Sequence, residues 1–127
     1  DANHRDLFYH ELIARYNKHP QTIIISTHLI DEVADVLEEA VIIKEGRLVL
    51  HQPVEQLLQS AYTVSGEDAK VDQFIHNRKV IHQEALGRFK SAAVFEPLNA
   101  QVRSAAEALG LDISVAPLQK LFIYLTN

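Results

Sequence analysis

The chain has 127 residues, no cysteine and a formal net charge of −5, with 47% hydrophobic and 23% charged residues. This length allows one domain or two very small ones, and the composition is that of a folded protein rather than a disordered chain. The acidic balance argues against nucleic acid or an anionic membrane as the main partner, and the lack of cysteine excludes disulfides and thiolate chemistry. No apolar run approaches the ~20 residues that span a bilayer.

The sequence contains no methionine and opens with Asp1. Because a natural full-length protein begins with methionine unless it is processed, we expect an excised piece of a longer protein. Its function then depends on residues outside this chain.

The first half carries helix and strand patterns in turn. Residues 4–16 repeat apolar side chains at every fourth position, which predicts a helix that ends before Pro20. Residues 22–27 are β-branched and apolar on both faces, as in a strand buried between helix layers. The patterns that follow predict an acidic amphipathic helix, a hairpin around Glu45-Gly46 and a short helix after Pro53, over residues 30–39, 40–50 and 54–58.

The second half has a different rhythm. Residues 62–116 predict the order β-α-β-β-α-β, with Asn99 as the N-cap of the second helix and Gly110 as its stop. This is the order of the ferredoxin-like split βαβ arrangement. A final helix follows Pro117. We therefore predict two units, an α/β unit over residues 1–60 and a ferredoxin-like unit over residues 61–127.

The strongest candidate for chemistry is His28. The run Ser26-Thr27-His28 ends the predicted strand and precedes the acidic helix, and ligands of open α/β sheets gather at the carboxyl ends of strands. An imidazole held there can donate a hydrogen bond to a phosphate oxygen or orient a water molecule. A histidine that is only exposed, or that only caps the helix, fits the same local pattern.

The wider pattern resembles a known family. The stretch Thr22–Leu50, TIIISTHLIDEVADVLEEAVIIKEGRLVL, is similar to the last third of the nucleotide-binding subunit of ATP-binding cassette (ABC) transporters. In that family an apolar strand ends in a Ser/Thr-rich His element, the H-loop, followed by an acidic helix and a Gly-Arg-Leu type strand, here Gly46-Arg47-Leu48. The opening run from Asp1 resembles the end of the D-loop. The second half is similar to the accessory region of bacterial export-type or bacitracin-resistance-type cassettes.

This resemblance implies a partial ABC-ATPase lobe, made of the D-loop end, the H-loop strand and helix and the hairpin, followed by the accessory unit. His28 would contact the γ-phosphate and help to hold the attacking water, and Asp1 would lie at the interface between two ATP-binding subunits. The intact parent would bind ATP and Mg²⁺, dock on a membrane permease at the cytoplasmic face of a bacterial membrane, and couple ATP hydrolysis to transport.

Several family motifs are missing from this chain. The four glycines do not form a G-x-x-x-x-G-K-[ST] phosphate loop, and the signature motif and the Walker B aspartate and glutamate are absent. We therefore expect the chain alone to be inactive, and to self-associate through the apolar surface of Ile23–Ile25.

Other interpretations remain open. Residues 61–127 alone would serve as a non-enzymatic module for small-ligand binding or dimerisation. A stand-alone enzyme built on His28 would need a serine elbow or a base-orienter pair, and the sequence has neither. The spacing of the seven histidines predicts no metal site, and too few basic residues lie near the aromatic ones to predict nucleic-acid binding.

Overall fold

The computed structural model describes residues 2–127, which form a mixed α/β structure, 42% helix and 28% strand, with two antiparallel sheets. The elements are α1 (Ala2–Lys18), α2 (Ile30–Val33), β1 (Glu39–Lys44), β2 (Arg47–Pro53), α3 (Val54–Gln59), β3 (Tyr62–Glu67), α4 (Asp68–Ile75), β4 (Val80–Leu86), β5 (Phe89–Val94), α5 (Ala100–Ala108), β6 (Asp112–Ser114) and α6 (Leu118–Thr126). No helix among these residues is long and apolar enough to cross a membrane.

The predicted hairpin is confirmed. Strands β1 and β2 pair antiparallel, with Lys44 opposite Arg47 across the turn. Glu45 and Gly46 both have positive φ, 53° and 75°. Two such residues in a two-residue loop give the type I′ turn, whose twist matches that of the paired strands.

The second sheet has four strands in the order β4-β5-β3-β6, and each neighbouring pair is antiparallel. Helices α4 and α5 cover one face and close a core with the sheet. Its buried members include Tyr62, Val64, Val71, Phe74, Ala92, Val94, Val102, Ala106 and Leu111. The predicted order of elements in this half is therefore confirmed, along with the cap at Asn99, whose Oδ1 accepts a hydrogen bond from the Val102 amide at 2.9 Å.

A second core joins the two halves of the chain. Its buried residues come from α3 and α6 and from the segments just before β3 and α6, and they are Val54, Leu57, Ala61, Ala116, Leu118 and Leu121. Ile30 of α2 and Leu50 of β2 pack against them. The C-terminal helix therefore shares its core with the first half of the chain. The division into units 1–60 and 61–127 stays a prediction.

Two predicted elements of the first half differ from the structure. Residues 22–27 form no strand, because within residues 2–127 no other strand lies alongside to accept their backbone hydrogen bonds. The acidic helix ends at Val33, and the chain then turns through hydrogen bonds from the amides of Val36 and Leu37 to the Val33 carbonyl. These turns bring Leu37 against the second core. Leu37 therefore reaches this core from a turn and not from a continued helix, although the helical spacing of apolar residues extends to it.

Candidate functional site

His28 lies in the short loop between residues 22–27 and α2. The Thr27 hydroxyl oxygen accepts a hydrogen bond from the Leu29 amide at 3.0 Å, which closes a tight turn around the histidine. The His28 side chain is exposed and has no hydrogen-bond partner of its own within residues 2–127. Its imidazole is therefore free to donate to, or accept from, a group that approaches from outside these residues.

The loop is anchored on its other side by Gln119 of α6. The side-chain oxygen of Gln119 accepts hydrogen bonds from the amides of Ile30 at 2.8 Å and Asp31 at 3.2 Å. These amides begin α2 and have no partner inside that helix. The sequence pattern did not single out Gln119, because a contact across 89 residues leaves no periodic or spacing signal in one sequence.

An ion pair joins α1 to the same short helix. Arg5 Nη1 lies 2.5 Å from Glu32 Oε1, with 48% of the arginine side chain and 24% of the glutamate side chain exposed. Such partly exposed pairs are screened by water and salt and contribute little net stability. The pair connects α1 to α2, while Gln119 accepts neutral hydrogen bonds from the start of α2.

A cavity of about 370 Å³ opens beside residues 25–27. Its walls are mainly apolar and come from residues 25–27, strand β1 and helix α6, including Leu118 and Phe122. His28 does not line it. A second cavity of about 540 Å³ is lined by residues 20–23 and Ile25 and by Leu12 and Tyr16 of α1. Residues 62–116 line neither cavity, so these two spaces lend no support to a ligand site in the four-stranded sheet.

Beside the four-stranded sheet lies a polar cluster, with a buried tyrosine and two partly exposed charged side chains, that the sequence pattern did not reveal. The hydroxyl of Tyr62, which is fully buried, donates to Glu96 Oε1, and Arg78 Nη1 donates to the same oxygen at 2.6 Å. The Arg78 guanidinium also lies over the Phe74 ring, 4.3 Å from its centroid. Burial, followed by the Glu96 carboxylate, raises the pKa of Tyr62 above its usual value. The cluster keeps its tyrosine protonated, which suits a structural role.

Helix α6 meets β4 through a stacked ring pair. The rings of His82 and Tyr124 lie 4.2 Å apart at an angle of 8°. His82 Nε2 forms a hydrogen bond with Glu84 Oε1 at 2.9 Å. This bond, the charge of His82 and then that of Lys120 lower the pKa of Glu84. The contact holds one face of α6 to the four-stranded sheet.

The other sequence candidates do not converge. Asp1, the proposed D-loop residue, lies outside the described residues. Within residues 2–127 no three histidine, aspartate or glutamate side chains come close enough together to hold a metal ion. Gly46 and Gly87 lie in the turns between paired strands, and Gly110 follows α5, so none of these three leads from a strand into the N-terminus of a helix. Gly66 lies in β3, just before α4, and a Cβ added there would meet Leu111 Cδ2 at 2.6 Å.

No protein family matches the chain, and no curated protein is found to be similar to it.

Proposed function

We propose that the chain is the C-terminal portion of the ATP-binding subunit of a bacterial ABC transporter. The order of its elements supports this: an apolar segment, a Ser-Thr-His run, a short acidic helix and a hairpin with glycine in its turn. In the parent, residues 1–60 complete an ATPase lobe and residues 61–127 form a ferredoxin-like accessory unit. The strand order β4-β5-β3-β6, with helices after the first and third strands of the unit, supports the second assignment.

One observation carries the proposal, namely the state of residues 22–27. This β-branched apolar segment forms no strand, and Ile24 is 89% exposed. Ile23 and Leu29 are also exposed. Such exposure of an apolar segment is expected when the segment forms a buried strand only in the whole protein, where its sheet neighbours come from another part of the chain.

In the parent, His28 contacts the γ-phosphate of ATP. Phosphoryl transfer relies on positioning and on electrostatic complementarity, and a neutral or protonated imidazole can donate a hydrogen bond to a phosphate oxygen. The phosphate cradle and the Mg²⁺ ligands come from the part of the parent that precedes this chain. Asp1 faces a second ATP-binding subunit, and the pair docks on a permease at the cytoplasmic face of the membrane.

A phosphate-release assay tests the role of His28. The 127-residue chain alone should show no turnover above a His28→Ala control. In the parent subunit, His28→Ala should lower kcat by about 100- to 1,000-fold, the cost of losing one aligned donor to a reacting oxyanion. His76→Ala, which removes an exposed imidazole at the end of α4, is the matched control and should leave kcat unchanged. Full turnover in His28→Ala would refute the assignment.

Reading the gene upstream of the Asp1 codon tests the assignment independently. We expect a Leu-Ser-Gly-Gly-like signature followed by an apolar strand that ends in Asp-Glu. An open reading frame that continues upstream without these motifs would rule out an ABC subunit.

A second candidate is a non-enzymatic interaction module formed by residues 61–127. Its support is the core that this sheet closes with α4 and α5. A thermal-shift screen against small ligands distinguishes the two: stabilisation of the chain that is lost on changing a residue of this sheet, such as Lys90, would favour the module. A screen with no stabilising ligand would weaken the module.

A further inference from the structure

The loop that carries His28 is tied to the C-terminal helix by one side chain. Gln119 Oε1 accepts from two successive amides, those of Ile30 at 2.8 Å and Asp31 at 3.2 Å. These residues follow His28 by two and three positions. On the other side of the histidine, the Thr27 hydroxyl holds the Leu29 amide at 3.0 Å. The backbone that positions the imidazole is thus fixed by Thr27 within the loop and by Gln119 from α6.

Helix α6, which carries Gln119, is itself held by packing on two sides. Leu118 and Leu121 flank Gln119 in the helix and are 7% and 0% exposed, packed in the core shared by both halves. Further along the helix, Tyr124 stacks on His82 of β4. Buried side chains at successive turns fix the rotation of a helix, so the Gln119 oxygen is held in one place relative to the four-stranded sheet.

We infer that Gln119 is a positioning residue for His28, through which the C-terminal helix sets the place of the imidazole. This inference rests on the proposed contact between His28 and phosphate. The imidazole has no hydrogen-bond partner of its own within residues 2–127, so its position depends on the backbone that Gln119 anchors. The Arg5–Glu32 ion pair reaches the same helix through partly exposed side chains and cannot replace a hydrogen bond to the backbone.

Two substitutions separate the hydrogen bond from the bulk of the side chain. Gln119→Met keeps the length and volume but removes the strong acceptor, whereas Gln119→Glu keeps an acceptor oxygen. Gln101→Met, on the exposed face of α5, is the matched control, because it makes the same glutamine-to-methionine replacement away from His28. Circular dichroism first establishes that each variant is folded.

Backbone ¹⁵N relaxation in the 127-residue chain provides the first measurement. In Gln119→Met the order parameter of His28 should fall from about 0.85 towards 0.6 or below, and the amide protons of Ile30 and Asp31 should move upfield. Gln119→Glu should retain the wild-type values, as should Gln101→Met. Unchanged order at His28 in Gln119→Met would overturn the inference whatever the function of the parent.

Turnover by the parent subunit provides the second measurement. Gln119→Met should lower kcat by about 10- to 100-fold with KM unchanged, because a misplaced group loses rate without losing substrate binding. Gln119→Glu should restore most of the rate. Wild-type kcat in Gln119→Met would overturn the inference. A parent without any ATP hydrolysis would instead refute the proposed function, and the relaxation data alone would then decide whether Gln119 positions His28.

Discussion

At the scale of single residues, the cluster of Tyr62, Glu96 and Arg78 shows how a buried phenol hydroxyl is satisfied at the edge of the core. The tyrosine hydroxyl and the partly exposed guanidinium share one carboxylate oxygen, so the buried hydroxyl of Tyr62 has a partner. Because burial and the Glu96 carboxylate both favour the protonated phenol, the pKa of Tyr62 lies above its usual value. In the unfolded chain the Tyr62 side chain is neither buried nor held beside Glu96, so its pKa is not raised.

This difference predicts a dependence of stability on alkaline pH. The contribution of Tyr62 to the free energy of unfolding is fully present below pH ~10, the unperturbed tyrosine pKa. It declines as the pH rises above that value, since the unfolded chain then releases the proton first, by at most about 1.4 kcal/mol per pH unit.

Urea unfolding of the wild-type chain and Tyr62→Phe between pH 8 and 11.5 checks this. At pH 8 the variant should be less stable by about 1 kcal/mol, the usual net value of one hydrogen bond. Above pH 10 the difference in free energy of unfolding between the wild-type chain and Tyr62→Phe should become smaller. Parallel curves across the whole range would show that Tyr62 has no raised pKa.

At the scale of elements, local chemistry determines where several of them begin and end. Asn99 is the clearest case, since its Oδ1 accepts from the Val102 amide at 2.9 Å and satisfies a donor at the start of α5. The positive φ of Gly110, 71°, lets the chain leave the same helix. Such signals act over three or four residues, and for that reason they are visible in the sequence.

Asn99→Ala should lower the free energy of unfolding by about 1 kcal/mol, because the amide of Val102 loses its acceptor. Asn99→Ser should retain most of the stability, since serine also caps helices well. Gln101→Ala, in the first turn of the same helix and exposed, is the control and should stay within ~0.5 kcal/mol of the wild type. Equal midpoints in urea for Asn99→Ala and the wild type would contradict the capping role.

At the scale of the whole molecule, the buried apolar residues form two separate cores. One lies under the four-stranded sheet and belongs to the second half alone, while the other joins α3 and α6 and draws in α2 and the hairpin. The C-terminal helix is therefore needed to complete the first half. This arrangement makes residues 30–58 and the C-terminal helix interdependent, although they are far apart in sequence.

Substitutions in the two cores should therefore destabilise different parts of the molecule. Leu121→Ala and Val71→Ala each empty a fully buried site, and the leucine change should cost about 2–5 kcal/mol. In hydrogen exchange, Leu121→Ala should lower protection in α3 and β2, and Val71→Ala in α4 and β3. Leu86→Ala, at a side chain that is 82% exposed, should change neither. Loss of protection throughout in both variants would show a single cooperative unit instead.

The sequence by itself determined the hairpin and its turn, the order of elements in the second half and the cap at Asn99. Each depends on alternation, helical spacing or turn residues within a few positions of one another. It also singled out His28, by its place after an apolar run.

Only the tertiary structure decided that residues 22–27 have no strand partner within residues 2–127, that α2 ends early, and that Gln119 and the Tyr62 cluster make their contacts. The reason is physical: a strand needs a neighbour to complete its hydrogen bonds, and the two hydrogen bonds of Gln119 join residues 89 and 88 positions apart. Such partners are brought together by the packing of both cores, which local pattern does not specify.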